Sequence, residues 1–253
     1  MQSSNLAVLY EDEHLIAINK PSGLLVHPSW LTPRGTESAA GLIKDYLDGA
    51  VVHTVHRLDR ATSGVLLCAK DKLSAQLIGQ AMFEHRVEKR YLAVVRGYAP
   101  EAGEIDHPLK YQHDKIAEPF ACDKEAQSAQ TRYRRLATVE LDIAVGKWPK
   151  ARYSLVEAMP LTGRKHQIRR HLKHVFCPIV GDTNYGEGRH NRLFREHFDV
   201  ARLLLHARSL KIEHPHSKQQ IEIVAPQEEV VNALFQRFGW PTFNEREDLL
   251  QGI

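Results

Sequence analysis

Short apolar runs, broken at close intervals by charged or turn-forming residues, set the pattern of this chain. Leu6 to Tyr10 and Leu15 to Asn19 are separated by Glu11, Asp12 and Glu13 and predict a hairpin. Lys20-Pro21-Ser22-Gly23 predicts a turn, and Leu24-Leu25-Val26 a third short strand. Val65 to Ala69 is an unbroken apolar run after a Ser63-Gly64 turn, as expected of a buried strand. Tyr91–Val95, Tyr133–Val145, Tyr153–Ala158, Leu203–Ile212 and Ile221–Val224 predict further strands. Helical spacing runs through Ser38–Leu47, Lys72–Glu84 and Glu228–Phe238, and Gly163–Val175 predicts a basic helix. The polar stretch from Ala99 to Ser128, with Pro100, Pro108 and Pro119, predicts loop with short strands. Phe176 to Arg195, rich in Gly, Asn and Arg, predicts a loop. Runs of strands with scattered helices imply an α+β fold rather than a doubly wound parallel sheet.

Composition narrows the class. The 253 residues are 43% hydrophobic and 26% charged, which suits a soluble globular protein, read as one domain over residues 1–253. Cys68, Cys122 and Cys177 are too widely spaced for a disulfide framework or a thiolate zinc site. The N-terminus lacks a basic segment followed by a long apolar run, so a cytoplasmic chain with no membrane partner is expected. A formal net charge of +3 does not by itself mark a nucleic-acid binder. Its distribution is more telling: Gly163 to Val175 carries five Lys or Arg, three His and no acid. Arg132, Arg134 and Arg135 form a second cluster, and Arg189, Arg192 and Arg195 a third. His171 with His174, and His214 with His216, do not match a zinc-hydrolase helix, and no phosphate loop or dinucleotide fingerprint is present. No metal and no cofactor are expected.

The chemistry concentrates in Val55 to Lys70, VHRLDRATSGVLLCAK. Asp59 lies between Arg57 and Arg60, just before the apolar run. Cationic neighbours favour the ionised carboxylate, and an anion on a rigid scaffold can act as nucleophile or base on a polyanionic substrate. An isolated Arg-x-Asp-Arg is most often a surface ion pair. The whole string, however, resembles the catalytic motif of the RluA family of pseudouridine synthases, His-Arg-Leu-Asp followed by a Thr-Ser-Gly turn. Three further stretches match in the family's order: Glu88 to Gly97, Leu161 to Leu172 and, more weakly, Arg202 to Ala207. The resemblance spans roughly residues 6 to 225.

That resemblance implies a pseudouridine synthase fold, with a mixed, largely antiparallel sheet, flanking helices and a central RNA-binding cleft. The N-terminal S4 domain of many relatives is not expected. Asp59 would be the catalytic carboxylate, and would attack C1′, attack C6 of uracil or abstract the 2′ proton. Arg57 would enter the space left by a flipped uridine, and Tyr91 would pack on the uracil and help remove the C5 proton. Arg169 would pair with Asp59, and Leu205 would wall the base pocket. Arg60, Arg164, Lys165 and Arg170 would bind substrate RNA. Leu24–Leu31, Ala137–Glu140, Gly163–Leu172 and Gln236–Trp240 resemble the branch acting on uridine 65 of tRNA. A monomer is expected. A synthase acting on ribosomal RNA, a hydrolase using Asp59 to activate water, and a non-catalytic RNA-binding module are the alternatives.

Overall fold

The computed structural model describes residues 6–28, 32–33, 35–111 and 125–243. Pro119, Cys122 and the Ser29-Trp30-Leu31 part of the tRNA-branch string lie outside them. Ten strands and five helices are present among the described residues, an α+β chain as its pattern predicts. No helix among these residues is long and apolar enough to cross a membrane. The chain forms two compact units, 1–89 with 207–226, and 90–206 with 227–253.

In the first unit, β1 (Val8–Glu11) and β2 (Leu15–Lys20) form the expected antiparallel hairpin. Leu24–Val26 is not a strand, but forms an isolated parallel bridge at Leu25 to Ser38. Ser38 caps α1 (Ala39–Tyr46) by accepting the Gly41 N–H at 3.2 Å. A two-residue strand β3 (His53–Thr54), too short for any periodicity to reveal, pairs with β4 (Ser63–Ala69). All seven residues of β4 are buried, as its unbroken apolar run requires. On its other side β4 pairs antiparallel with β2. Asp71 caps α2 (Lys72–Phe83), taking the Ser74 N–H at 2.8 Å. Leu15, Val65, Leu67, Ile78 and Ile223 are among the residues of this unit's core.

The second unit begins within β5 (Glu88–Arg96). It adds β6 (Ala102–Asp106), β7 (Gln130–Leu141) and β8 (Ala151–Pro160), all antiparallel in the order β5-β8-β7-β6. α3 (Gln167–His174) is shorter than the predicted basic helix. The last eight residues of the predicted loop, 188–195, instead belong to α4 (Gly188–Phe198). Its Gly and Asn residues disguise an apolar stripe: Leu193, Phe194 and Phe198 pack into the core with Tyr153, Leu155, Phe235 and Trp240. β9 (Leu205–Glu213) leads back into the first unit, where it pairs with β10 (Gln220–Val224), and α5 (Glu229–Arg237) closes the second.

Gly64, in the turn of the candidate catalytic string, opens β4 with φ of 110°. A Cβ there would stand 2.2 Å from the Ala207 carbonyl oxygen, so β4 and β9 approach too closely for any side chain. Backbone strain and overpacking then add. Gly64→Ala should destabilise the protein by about 3 kcal/mol or more, read as a lowered urea midpoint.

Candidate active site

Asp59 sits in a loop whose backbone is clamped from behind. Its carbonyl accepts the Thr62 N–H at 3.0 Å, which closes a tight turn, and Leu58 and Thr62 on either side are buried. The Lys20 side chain, fully buried at the end of β2, donates to the carbonyls of Pro21 and Leu24 at 2.9 Å and of Arg60 at 3.2 Å. A buried ammonium must have its donors satisfied, so this one fixes the carbonyls of both turns. Gly23 and Arg60 add a reciprocal pair: Gly23 N–H to Arg60 O at 2.8 Å, and Arg60 Nε to Gly23 O at 2.9 Å. Ser22 Oγ donates to Ala61 O at 2.8 Å. Arg60 therefore serves as scaffold through its Nε–H, a role its assignment to RNA did not include. In sequence Lys20 is only the first residue of a turn string, and its burial comes from the fold. Arg57 is exposed.

His56 pins the same loop to β4. Its Nε2 lies 3.0 Å from the Leu67 amide and accepts that N–H, so this edge of the ring carries no proton. Burial, with a smaller contribution from the positive charge of Lys89, lowers its pKa to about 4.

Arg169 lies on α3 in the second unit, 5% exposed. Its Nε and Nη2 donate to Asp182 Oδ2 and Oδ1 at 2.7 and 2.9 Å, a bidentate pair. Asp182 Oδ1 also accepts the N–H groups of Asn184 and Tyr185 at 2.9 and 3.0 Å. Burial pushes this carboxyl up, but the guanidinium and the two amides outweigh it and hold it below the usual range. The Arg169 guanidinium also lies 5.1 Å from the centre of the Tyr185 ring. In sequence Asp182 carries no signal of this role, since its Gly-Asp-Thr-Asn-Tyr setting looks like ordinary loop.

The basic helix begins later than its charge pattern predicts. His166, in the left-handed conformation, precedes the first turn, so Arg164 and Lys165 lie before the helix rather than on its face. Gln167 holds this bend. Its Oε1 accepts the Thr162 hydroxyl at 2.6 Å and the Arg164 N–H at 2.9 Å, while its Nε2 donates to Gln130 O and Thr131 Oγ1. Thr131 in turn lies 2.9 Å from His171 Nδ1, and His171 Nε2 donates to His107 O at 3.1 Å. His171 is fully buried, and burial lowers its pKa. It is thus a neutral core residue, though it lies in the most basic stretch of the chain. Arg164 and Lys165 are exposed, and Arg170 is half-buried.

Tyr91 is half-buried on β5, opposite Ala158 of β8, and Leu205 is 3% exposed. The cluster of Arg132, Arg134 and Arg135 is paired: Arg132 with Glu104 at 2.9 Å, Arg134 with Glu157 at 3.2 Å and Arg135 with Glu101 at 3.4 Å. Antiparallel pairing set acids opposite these cations, which linear spacing could not show.

A family model described as RNA pseudouridylate synthase matches residues 14–174. The chain belongs to this family. Among its relatives, tRNA pseudouridine synthase C of Vibrio cholerae serotype O1 is 52% identical over 239 residues, 93% of this chain and 96% of the relative. The Haemophilus ducreyi protein of the same name is 50% identical, over 93% of this chain and 96% of the relative. The solved structure of human RNA pseudouridylate synthase domain containing 4 aligns with TM-score 0.69 and 27% identity, over 94% of this chain and 95% of that one. Human RNA pseudouridylate synthase domain containing 1 aligns with TM-score 0.71 over 99% and 95%, and its 24% identity shows the shared fold. The pseudouridine synthase fold implied by the sequence motifs is therefore the fold of this chain.

Two outcomes follow from these contacts. Asp182→Ala leaves a buried guanidinium without its carboxylate and should cost about 3–5 kcal/mol of stability, measured by chemical denaturation. The His56 pKa is lower in the folded than in the unfolded chain, so its stabilising effect is complete above about pH 6.5. It is lost as pH falls from there towards 4, by roughly 3 kcal/mol in all. Denaturation at several pH values should show this slope, and His56→Gln should flatten it.

Proposed function

We propose that this chain isomerises a uridine of tRNA to pseudouridine, with Asp59 as its catalytic carboxylate. The observation that carries this reading is the match to tRNA pseudouridine synthase C proteins along nearly the whole chain, through every stretch that holds the motifs. The clamped Asp59 turn supports it, because a carboxylate that must meet one atom of a mobile nucleotide gains from a fixed backbone. Uridine 65 is the proposed position, on the resemblance of the local strings to that branch.

The reaction breaks the N1–C1′ bond, turns the uracil and joins C5 to C1′. The C5 proton leaves and N1 ends protonated, so the product is an isomer of the reactant. In this reading Asp59 acts on the sugar or base, and Arg169, itself held by Asp182, orients it. Tyr91 packs on the uracil and Leu205 walls the pocket. Arg57, exposed beside Asp59, fills the stack once the uridine has flipped, with a planar guanidinium suited to that place. Arg164, Lys165 and Arg170 bind phosphate.

Mapping pseudouridine in total RNA from cells with and without the gene tests this reading. The expected loss is confined to tRNA, at position 65; a loss in ribosomal RNA would overturn the substrate, and no loss the activity. Purified Asp59→Asn should form no pseudouridine while its affinity for tRNA changes less than about tenfold, or 1.4 kcal/mol. Turnover near wild type would remove Asp59 from the mechanism.

A further inference from the structure

Outside the candidate active site, the first unit gathers three histidines and two aspartates that its function does not use. His14 stands in the β1–β2 turn, Asp71 at the N-cap of α2, and His216 in the β9–β10 turn. His14 Nδ1 lies 3.2 Å from Asp71 Oδ2. The His14 and His216 rings are stacked, with centroids 3.6 Å apart and planes 17° from parallel. One ligand atom from each of His14, Asp71 and His216 falls within 4.8 Å of the other two. Ser74 Oγ donates to Asp71 Oδ2 at 2.6 Å and lies 2.9 Å from His216 Nε2, so a fourth oxygen borders the cluster.

We propose that His14, Asp71 and His216 form a site for a divalent transition-metal ion, of which Zn²⁺ is the natural occupant. Two imidazoles and a carboxylate are a donor set for a borderline ion rather than for Mg²⁺ or Ca²⁺. Donors of a tetrahedral site with bonds of about 2.1 Å stand roughly 3.4 Å apart. The present spread closes to that by side-chain rotation, for which His216 is exposed and Asp71 half-buried. Water, or Ser74 Oγ, completes the shell.

The surroundings are built to hold these ligands. Asp12 Oδ1 accepts the N–H groups of His14 and Leu15 at 2.8 and 2.7 Å, which fixes the first turn. Asp12 Oδ2 accepts the Tyr10 hydroxyl at 2.5 Å and His214 Nε2–H at 2.9 Å. His214 Nδ1 then accepts the Ser217 N–H at 3.0 Å and lies 3.3 Å from the His216 N–H, which fixes the second turn. His214 is thereby committed at both nitrogens and serves as a positioning residue. One carboxylate thus sets both histidine-bearing turns, the kind of outer support that metal ligands have. The ion would tie the hairpin, α2 and the β9–β10 turn together, and its role is structural, apart from the isomerisation.

Untagged full-length protein, freed of metal by a chelator, is titrated with Co²⁺ by visible absorption and then with Zn²⁺ as competitor. Thermal unfolding is followed with and without Zn²⁺. The expected result is one ion per chain and a raised Tm. His216→Ala, in an exposed turn, and Asp71→Asn, which keeps an N-cap oxygen, should bind at least about tenfold more weakly, while melting like wild type without metal. Asp12→Asn should weaken binding by about 10–100-fold. His197→Ala, at an exposed position of α4, should bind as wild type does. Absence of binding overturns the site, as does binding that His216→Ala and Asp71→Asn leave unchanged.

Discussion

The buried ion pair of Arg169 and Asp182 is the constraint around which α3 and the 181–185 loop of the second unit are arranged. The two side chains are 6% and 0% exposed, so neither charge has water to fall back on. Such a pair is tolerated only when its remaining hydrogen-bonding positions are filled, and two backbone amides of the 181–185 loop fill those of Asp182. The loop is thereby tied to α3, and α3 to β7 through Gln167, Thr131 and His171. The stretch predicted as one basic helix is in fact divided. Gln167, Ile168, Arg169, His171 and Leu172 are buried, while Arg164, Lys165 and Lys173 remain towards solvent.

The first unit applies the same principle with the opposite charge. A buried Lys20 ammonium gathers the carbonyls of two turns, and the His56 ring takes an amide from β4. Both groups lie behind the Asp59 loop and hold its backbone. Precision at the proposed catalytic carboxylate is achieved here by backbone hydrogen bonds made by neighbours, not by a rigid element bearing the residue itself. The apolar strand β4 supplies the fixed base, and Gly64 permits the close approach of β9 beside it.

The Asp12 network extends this economy to the far side of the same unit. One carboxylate receives four donors and sets two turns that are distant in sequence. The histidines so placed meet a helix cap that already needs its carboxylate oriented. Capping and ligand positioning thus converge on Asp71, whose Oδ1 caps α2 while its Oδ2 lies beside His14.

Sequence by itself determined the element types wherever an apolar period was long or unbroken. β4, α2, α5 and the β1–β2 hairpin stand where their patterns predict, because burial of an apolar face is dictated by local spacing. It also determined the family, since Asp59, Tyr91 and Arg169 occur in motifs with strict neighbours. It did not determine partners. Lys20 and Asp182 look like turn residues until the fold buries them, and α4 looks like loop until its apolar stripe meets a core. Arg132, Arg134 and Arg135 look like an RNA patch until antiparallel register sets acids against them. His14, Asp71 and His216 share no local spacing, and only the meeting of two turns and a helix cap makes them neighbours. Hydrophobic periodicity is a property of adjacent residues, whereas the desolvation and pairing of charge depend on which distant segments arrive, and that is decided in three dimensions.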